Sequence, residues 1–229
     1  NIPDEDIYIK ILELSKLERP TYIILLDSFL LMRARFSKEL TNIINQADLV
    51  LPISAGIKFG LNFLNKKTEK VYNYFNFTIR LLTFLTEEKR NIYILGGNKK
   101  NSDLIEKNIR SSFPGIRLMG RYWTNYKKDF EPKLITAMQK VDPALVLVSM
   151  NRPKQEKWIY TRKKHFKSGV FLGVAHFTDI LIGKRESPRD RNIQSTGYSM
   201  SKLIKNPFRI FYYIYYFILL LVYKIFRLD

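Results

Sequence analysis

Cysteine is absent from this sequence, and only two of its 229 residues are histidine. Without cysteine there can be no disulfide bond, no thiolate metal ligand and no thiol nucleophile. Two histidines, His165 and His176, are too few for a histidine-rich metal site. A cleavable signal peptide is not visible either, because the first residues, Asn1 to Asp6, are polar and acidic where such a peptide is basic and then apolar.

Acidic residues are also scarce: 21 Asp and Glu stand against 39 Lys and Arg, which gives a net charge of +18. A chain this basic has three classes of partner open to it, namely nucleic acid, an anionic membrane surface and phosphorylated ligands. Part of the charge reflects a composition rich in Lys, Asn and Ile throughout. With 46% hydrophobic residues, the chain is large enough for one domain with a sizeable core, or for one domain with an appendage.

The most informative stretch runs from Val141 to Ile159. Its apolar part, Leu145 to Val148, does not alternate with polar residues and therefore predicts a strand buried on both faces. A short polar turn follows, and then an amphipathic helix opened by Pro153. A strand, a turn and a helix start in this order present backbone N–H groups to a phosphate, with Gln155 and Glu156 in the first helical turn.

Segments typical of strands and of helices alternate along the chain. The predicted strands are Thr21–Leu26, Asp48–Pro52, Ile92–Leu95, Ile116–Met119, Leu145–Val148 and Val170–Val174. The predicted helices are Leu30–Ala47, Gly56–Leu64, Phe77–Leu85, Ser102–Ser112 with Ser102 as its cap, Pro132–Lys140 and Pro153–Phe166. The alternation predicts an α/β fold with a Rossmann-like, doubly wound and mainly parallel sheet.

The run Pro153-Lys154-Gln155-Glu156-Lys157-Trp158 resembles the signature of the WecB/TagA/CpsF glycosyltransferase family. Similar segments, with the spacing mostly kept, are Gln46–Pro52, Leu95-Gly96-Gly97, Phe113–Ile116, Gly173 to Gly183 and Pro207-Phe208-Arg209. The resemblance implies a bacterial protein of cell-envelope polysaccharide assembly. The family reaction is transfer of N-acetylmannosamine or a related hexosamine from a UDP-sugar to a polyprenyl-diphosphate-linked acceptor.

The departures from the family pattern fall on polar positions. Ile53 stands where the family carries an Asp thought to act as general base, and an isoleucine cannot accept a proton. Asp27 closes a Leu-Leu-Asp segment where the family has Thr-Leu-Asn. Ser149 and Asn151 replace glycines that would let the backbone approach a nucleotide. Glu186 replaces an Arg that would favour a diphosphate.

Two hypotheses follow from this pattern of matches and departures. In the first, the protein has the transferase fold but is catalytically degenerate, and it acts as a partner subunit of an active homologue. In the second, it is an active transferase with rearranged residues, in which Asp27 serves as the base. An ordinary surface Asp remains the simpler interpretation of Asp27.

Our candidates for binding the nucleotide-sugar are Gly96, Gly97, Gln155, Glu156 and Asp179. Each has a structural alternative to ligand binding. The charge of Glu156 could simply interact with the positive N-terminal end of its helix, and Asp179 could brace the segment that follows it. His176 occupies a position where the family carries a small residue, and a packed or hydrogen-bonded histidine is its simplest interpretation. No Asp-x-Asp pair is placed to hold a metal on the diphosphate, so we expect no metal and no cofactor apart from the UDP-sugar itself.

The C-terminal segment contains fourteen consecutive uncharged apolar or aromatic residues, Ile210 to Tyr223, flanked by basic residues. As a helix this run would be about 21 Å long, short of the roughly 30 Å of a hydrocarbon core. It therefore predicts a membrane-surface anchor at residues 201–229, appended to a domain at residues 1–200, with a buried subunit-contact helix as the alternative. The expected location is peripheral, on the cytoplasmic face of the bacterial cell membrane. The candidate contacts with an anionic membrane surface are Arg209, Tyr212, Tyr213, Phe217, Leu220 and Lys224.

Nucleic-acid binding is a third interpretation of the basic charge. Lys184, Arg185, Arg189 and Arg191, together with Lys163 and Lys164, could contact phosphates. No recognised nucleic-acid motif and no stacking pattern of aromatic residues accompanies them. We therefore expect no nucleic-acid partner, and we interpret the cluster as a solvated or lipid-facing basic surface.

Overall fold

The structure, a computed structural model, describes residues 4–66, 70–188 and 208–226. Its strands are β1 Thr21–Leu26, β2 Leu49–Pro52, β3 Asn91–Gly96, β4 Arg117–Tyr122, β5 Leu145–Ser149 and β6 Val170–Gly173. Its α-helices are α1 Asp4–Ser15, α2 Ser28–Arg35, α3 Lys38–Asn45, α4 Ala55–Phe63, α5 Tyr74–Glu87, α6 Ser102–Ser112, α7 Glu131–Val141, α8 Lys154–Arg162, α9 Phe177–Leu181 and α10 Phe208–Phe226. Each of the six strands predicted from the sequence is present.

The strands form one parallel sheet in the order β2-β1-β6-β5-β3-β4. This confirms the α/β, Rossmann-like prediction, and β5 is buried at every residue, as its non-alternating sequence predicts. Because the strands are parallel, their carboxyl ends meet at one edge of the sheet. In open sheets of this kind, ligands bind in the crevice outside that edge.

Helices cover both faces of the sheet, each with its own hydrophobic core. On one face, α1, α5 and α6 contribute fully buried side chains such as Ile11, Leu81 and Ile109. On the other, α3 and α7 contribute Ile43 and Met138. Burying apolar area on both faces stabilises the sheet by about 25 cal/mol for each Å² removed from water.

Three local predictions need correction. The predicted helix Leu30–Ala47 is two helices, because Ser37 is extended and its hydroxyl accepts a hydrogen bond from Leu40 N at 3.3 Å, which starts α3 afresh. Ser102 does not cap α6: it is the first helical residue, and its hydroxyl accepts from Arg121 instead. Helix α1 was not predicted, although Ile7 and Ile11 have helical spacing and are almost fully buried.

The C-terminal helix α10 packs against α2 and α4. Tyr216 and Leu220 are buried in a small cluster with Met32, and the Tyr216 hydroxyl donates a hydrogen bond to Gly56 O at 3.0 Å. No described helix is both long enough and apolar enough to cross a membrane. The predicted boundary between residues 200 and 201, and the side chain of Arg209, lie outside the described residues, as do Arg189 and Arg191 of the basic cluster.

Candidate active site

A cavity of about 370 Å³ opens at the carboxyl edge of the sheet, around the ends of β1, β2, β5 and β6. Its lining residues are Asp27, Ile53, Tyr74, Asn151, Arg152, Ala175 and His176. Four of these, Asp27, Ile53, Asn151 and His176, are positions where the sequence departs from the family pattern. The fold thus brings four of the departures to a single cavity, whereas Ser149 and Glu186, named with them above, do not line it.

Asp27 has both carboxylate oxygens engaged. As the N-cap of α2, it accepts a hydrogen bond from Leu30 N on Oδ1 at 2.6 Å. On Oδ2 it accepts from Arg152 Nη1 at 2.8 Å. A helix cap and an ion pair thus account for the orientation of this side chain.

Arg152 connects Asp27 to the buried start of α8. Its Nε lies 3.4 Å from Glu156 Oε1, an ion pair without the alignment of a hydrogen bond. Glu156 Oε1 accepts from Gln155 Nε2 at 3.0 Å, and both side chains are buried. Burial raises the pKa of Glu156, while the charge of Arg152 opposes that shift.

Gln155 is fully buried beneath the end of β6. A Cβ placed on Gly173 would lie 2.9 Å from Gln155 Nε2 and 3.0 Å from its Cδ, so this close approach requires glycine. Within the described residues, Gln155 Oε1 and Glu156 Oε2 have no hydrogen-bond partner. The two predicted binding residues therefore form a polar layer that supports Arg152 from below and retains unused acceptors.

His176 and Asp179 face each other at the start of α9. His176 adopts a left-handed backbone conformation with φ of 62°, and its Nδ1 lies 3.7 Å from Asp179 Oδ2. Burial lowers the pKa of His176, Arg185 and Arg152 lower it further, and Asp179 works in the opposite direction. The imidazole is therefore neutral near pH 7.

Gly96 and Gly97 lie at the same edge of the sheet, beyond β5 from Asp27. A Cβ on Gly96 would lie 2.6 Å from Thr178 Cγ2, and one on Gly97 would lie 2.5 Å from Ile105 Cδ1. Thr124 donates to Gly97 O through both its N–H and its hydroxyl, each at 3.1 Å. These neighbours fill the space beside the glycines, so close packing explains why glycine is needed there.

Sequence reasoning missed Arg152 and Tyr74. Arg152 directly precedes the recognised run that starts at Pro153, and a charge following a buried strand was the available signal. Tyr74 begins α5, whose cap, Asn73, also donates to Pro188 O at 2.8 Å and so ties the segment after α9 to this side of the cavity. Within the described ranges, no three His, Asp or Glu side chains are grouped closely enough to hold a metal ion.

Comparison with known proteins supports the resemblance. The model of the Glycosyl transferase WecG/TagA/CpsF family matches residues 2–228. An N-acetylglucosaminyldiphosphoundecaprenol N-acetyl-beta-D-mannosaminyltransferase of Bacillus subtilis (strain 168) is 22% identical over 174 residues, which cover 75% of this chain and 66% of the relative. The enzyme of the same name from Bacillus spizizenii is 24% identical over 168 residues, covering 73% and 64%.

The same name is carried by a Staphylococcus aureus (strain MRSA252) relative that is 24% identical over 98 residues, or 42% of this chain and 38% of the relative. The chain thus spans just under two thirds of the length of the two Bacillus relatives. Since the family model matches the described domain and α10 alike, the protein belongs to the WecG/TagA/CpsF family of glycosyl transferases.

Proposed function

We propose that this protein transfers a hexosamine from a UDP-activated donor to a polyprenyl-diphosphate-linked acceptor during cell-envelope polysaccharide assembly. The observation that carries the proposal is the polar cavity at the carboxyl edge of the sheet, in a chain that belongs to a glycosyl transferase family. About 370 Å³ is room for a sugar ring with part of its diphosphate. The named Bacillus relatives supply the class of acceptor and of sugar.

The charge around the cavity suits a diphosphate. Arg152 lines the cavity, and Arg185 lies near enough to lower the pKa of Tyr74 and of His176. Burial is nevertheless the larger influence on Tyr74 and raises its pKa, which keeps the phenol protonated and able to donate a hydrogen bond. Two guanidinium groups and a phenol are donors that a departing nucleoside diphosphate requires.

The outer face of α10 supports work at a membrane surface. Phe211, Ile214, Ile218, Val222 and Ile225 recur at helical spacing and are 38–70% exposed. We call this set the outer stripe. A continuous apolar stripe on the surface of a strongly basic protein fits an anionic lipid interface, with the protein bound peripherally.

The residues predicted from the sequence to contact the membrane divide between the two faces of α10. Leu220 is buried against the domain, and Tyr213 lines a cavity of about 170 Å³ shared with Asp27. Tyr212, Phe217 and Lys224 are exposed but also contact Phe29 or Phe63. These aromatic rings and the lysine flank the outer stripe and suit the headgroup region of a bilayer. The outer stripe itself would enter the lipid.

A second candidate function is that of a donor-binding but non-catalytic partner subunit. The observation that favours it is Ile53, a buried side chain in the cavity at the position of the family's base. In this case the donor binds and is not consumed. Ile53→Asp would then create turnover where the wild type has none.

The full chain, with phospholipid vesicles present, can be tested in two steps. Calorimetry with UDP-N-acetylmannosamine measures donor binding, and release of UDP in the presence of a short-chain polyprenyl-diphosphate N-acetylglucosamine measures transfer. Binding with acceptor-dependent UDP release is expected. Binding without release would support the partner-subunit function, and no binding at millimolar donor would overturn both.

A further inference from the structure

Two of the described side chains that line the cavity, Asp27 and His176, carry an atom able to accept a proton at neutral pH. Ile53 and Ala175 are apolar, the Asn151 amide is not basic, and Arg152 is a permanent cation. Tyr74 is held in its protonated form by burial. Asp27 has each oxygen engaged, by Leu30 N and by Arg152. This leaves His176.

The backbone at His176 adopts a conformation that is uncommon for a residue other than glycine. Its φ of 62° is a left-handed conformation, which glycine adopts without penalty and which costs free energy for a residue with a Cβ. Glycine would serve the turn between β6 and α9 better. Of the four described non-glycine residues with positive φ, namely Asn65, Lys89, Asp142 and His176, it is His176 that lines the cavity.

Asp179 places a negative charge beside the ring. Nδ1 of His176 lies 3.7 Å from Asp179 Oδ2, one turn further along the start of α9. The distance is longer than a hydrogen bond, but the negative charge still favours the tautomer with its proton on Nδ1, which leaves the lone pair on Nε2. A neutral imidazole with a carboxylate behind it is the usual arrangement of a general base, because the carboxylate also stabilises the imidazolium that forms.

We propose that His176 is the general base of this protein and that Asp179 is its positioning residue, an inference that rests on the proposed transfer reaction. The acceptor hydroxyl oxygen attacks the anomeric carbon of the donor sugar and forms the new C–O bond. The bond between that carbon and the diphosphate oxygen breaks, and the nucleoside diphosphate leaves with the electron pair. The hydroxyl proton passes to His176 Nε2 and is later released to water.

The charged and titratable groups facing His176 are Asp179, Arg185 and Arg152, with Tyr74 and Asp27 on the same cavity wall. Burial and the two arginines hold the pKa of His176 below its usual value. The base is therefore in its free form across the neutral range. We expect kcat/KM for transfer to fall on the acid side with a midpoint below about pH 6.5, the usual value for histidine.

The test uses His176→Gly in the full chain with vesicles, UDP-N-acetylmannosamine and the short-chain acceptor. Glycine suits the left-handed backbone, so the variant should fold at least as well as wild type. We expect transfer to fall about 100-fold or more, a donor Kd within about threefold of wild type, and partial recovery of transfer with added imidazole. His165→Gln, which changes the other histidine far from the cavity, is the matched control and should transfer normally.

The outcomes separate the two proposals. If the wild type transfers and His176→Gly transfers equally well, or if the acid limb of the pH profile persists in that variant, His176 is not the base and the proposed function stands. If the wild type binds donor without transfer, the base proposal falls with the transfer reaction. If His176→Gly loses both transfer and donor binding, and imidazole does not restore transfer, His176 has a structural role. That outcome would also overturn the proposal that His176 is the base.

Discussion

Arg152 Nη1 lies 2.8 Å from Asp27 Oδ2, which joins the turn after β5 to the end of β1. Strand β6 lies between these two strands in the sheet, so the ion pair passes over the end of β6. Its two side chains are 14% and 29% exposed, well shielded for an ion pair near a surface. It therefore fixes the spacing of the elements that surround His176.

The first prediction is that Asp27 and Arg152 are energetically coupled. In a double-mutant cycle with Asp27→Asn and Arg152→Met, followed by urea unfolding, we expect a coupling of about 1 kcal/mol. Asp27→Ala should cost about 1 kcal/mol more than Asp27→Asn, since asparagine retains the cap on α2 and alanine does not. The exposed pair Lys157–Glu39 provides a control cycle with a coupling below about 0.5 kcal/mol. Equal couplings in the two cycles would contradict the prediction.

The second prediction concerns the pH dependence of stability at Glu156. Burial raises its pKa in the folded state, so folding favours the protonated form. The stability this group provides is complete below its unfolded pKa, near 4.3, and is lost as the pH rises through the raised folded value. Relative to wild type, Glu156→Gln should therefore gain stability as the pH rises from about 4 towards neutral.

Chemical denaturation at several pH values measures this difference. Glu156→Leu also removes the titrating carboxyl, but it loses the hydrogen bond from Gln155, so it should show the same trend at lower overall stability. A difference between Glu156→Gln and wild type that stays constant from pH 4 to 7 would show that the folded and unfolded pKa values are equal.

The third prediction concerns how α10 is docked. A Cβ at Gly60 would lie 2.1 Å from the Tyr216 hydroxyl oxygen and 3.1 Å from its Cζ, so Gly60→Ala must displace the ring. The hydrogen bond from Tyr216 to Gly56 O is then lost, and α10 should exchange its amide hydrogens at least about tenfold faster. Gly115→Ala, where a Cβ meets nothing within 4 Å, should cost stability through its φ of 86° yet leave exchange in α10 unchanged.

The fourth prediction concerns the outer stripe. Ile214→Asp and Ile218→Asp together should weaken binding to anionic vesicles by tenfold or more, because each replaces an apolar side chain that would enter the lipid with a charged one. Their exposures of 52% and 50% mean that the domain itself should remain folded. Leu104→Asp replaces a similarly exposed aliphatic residue on α6, and it should have no effect on sedimentation with vesicles. Equal loss in both proteins would indicate that net charge, rather than the stripe, governs binding.

The positions of β1, β3, β5 and β6 could be predicted from the sequence because a buried parallel strand is a continuous apolar run. The edge strand β4 contains Arg117 and Arg121 and is only partly buried, so its sequence carries a weaker signal. The site could be predicted only in part. Asp27 and Arg152 are 125 residues apart, and nothing in either local sequence indicates the other. Likewise, the left-handed backbone at His176 follows from how β6 enters α9, which only the folded chain defines.

The docking of α10 is a second feature that could not be predicted from the local sequence. The composition of this segment predicts an apolar helix. It does not predict which residues face the domain, because aromatic residues occur on every face of the helix. Tyr216 and Leu220 are buried because Gly60 and Met32 leave space for them on α4 and α2. That complementarity lies in distant segments, so a helical projection of residues 208–226 alone does not reveal it.

The starts of α2 and α4 are tied together, because Ser28 N donates to the hydroxyl of Ser54, the residue that caps α4. With α10 packed across both helices, the outer stripe is held at a fixed distance from the cavity. Helix α10 lies between α2 and α4 on one side and any surface that contacts the outer stripe on the other. The distance between them is therefore one helix diameter, about 10 Å. If the outer stripe binds a bilayer as we propose, side-chain packing sets the height of the cavity above that bilayer, as a rigid spacer would.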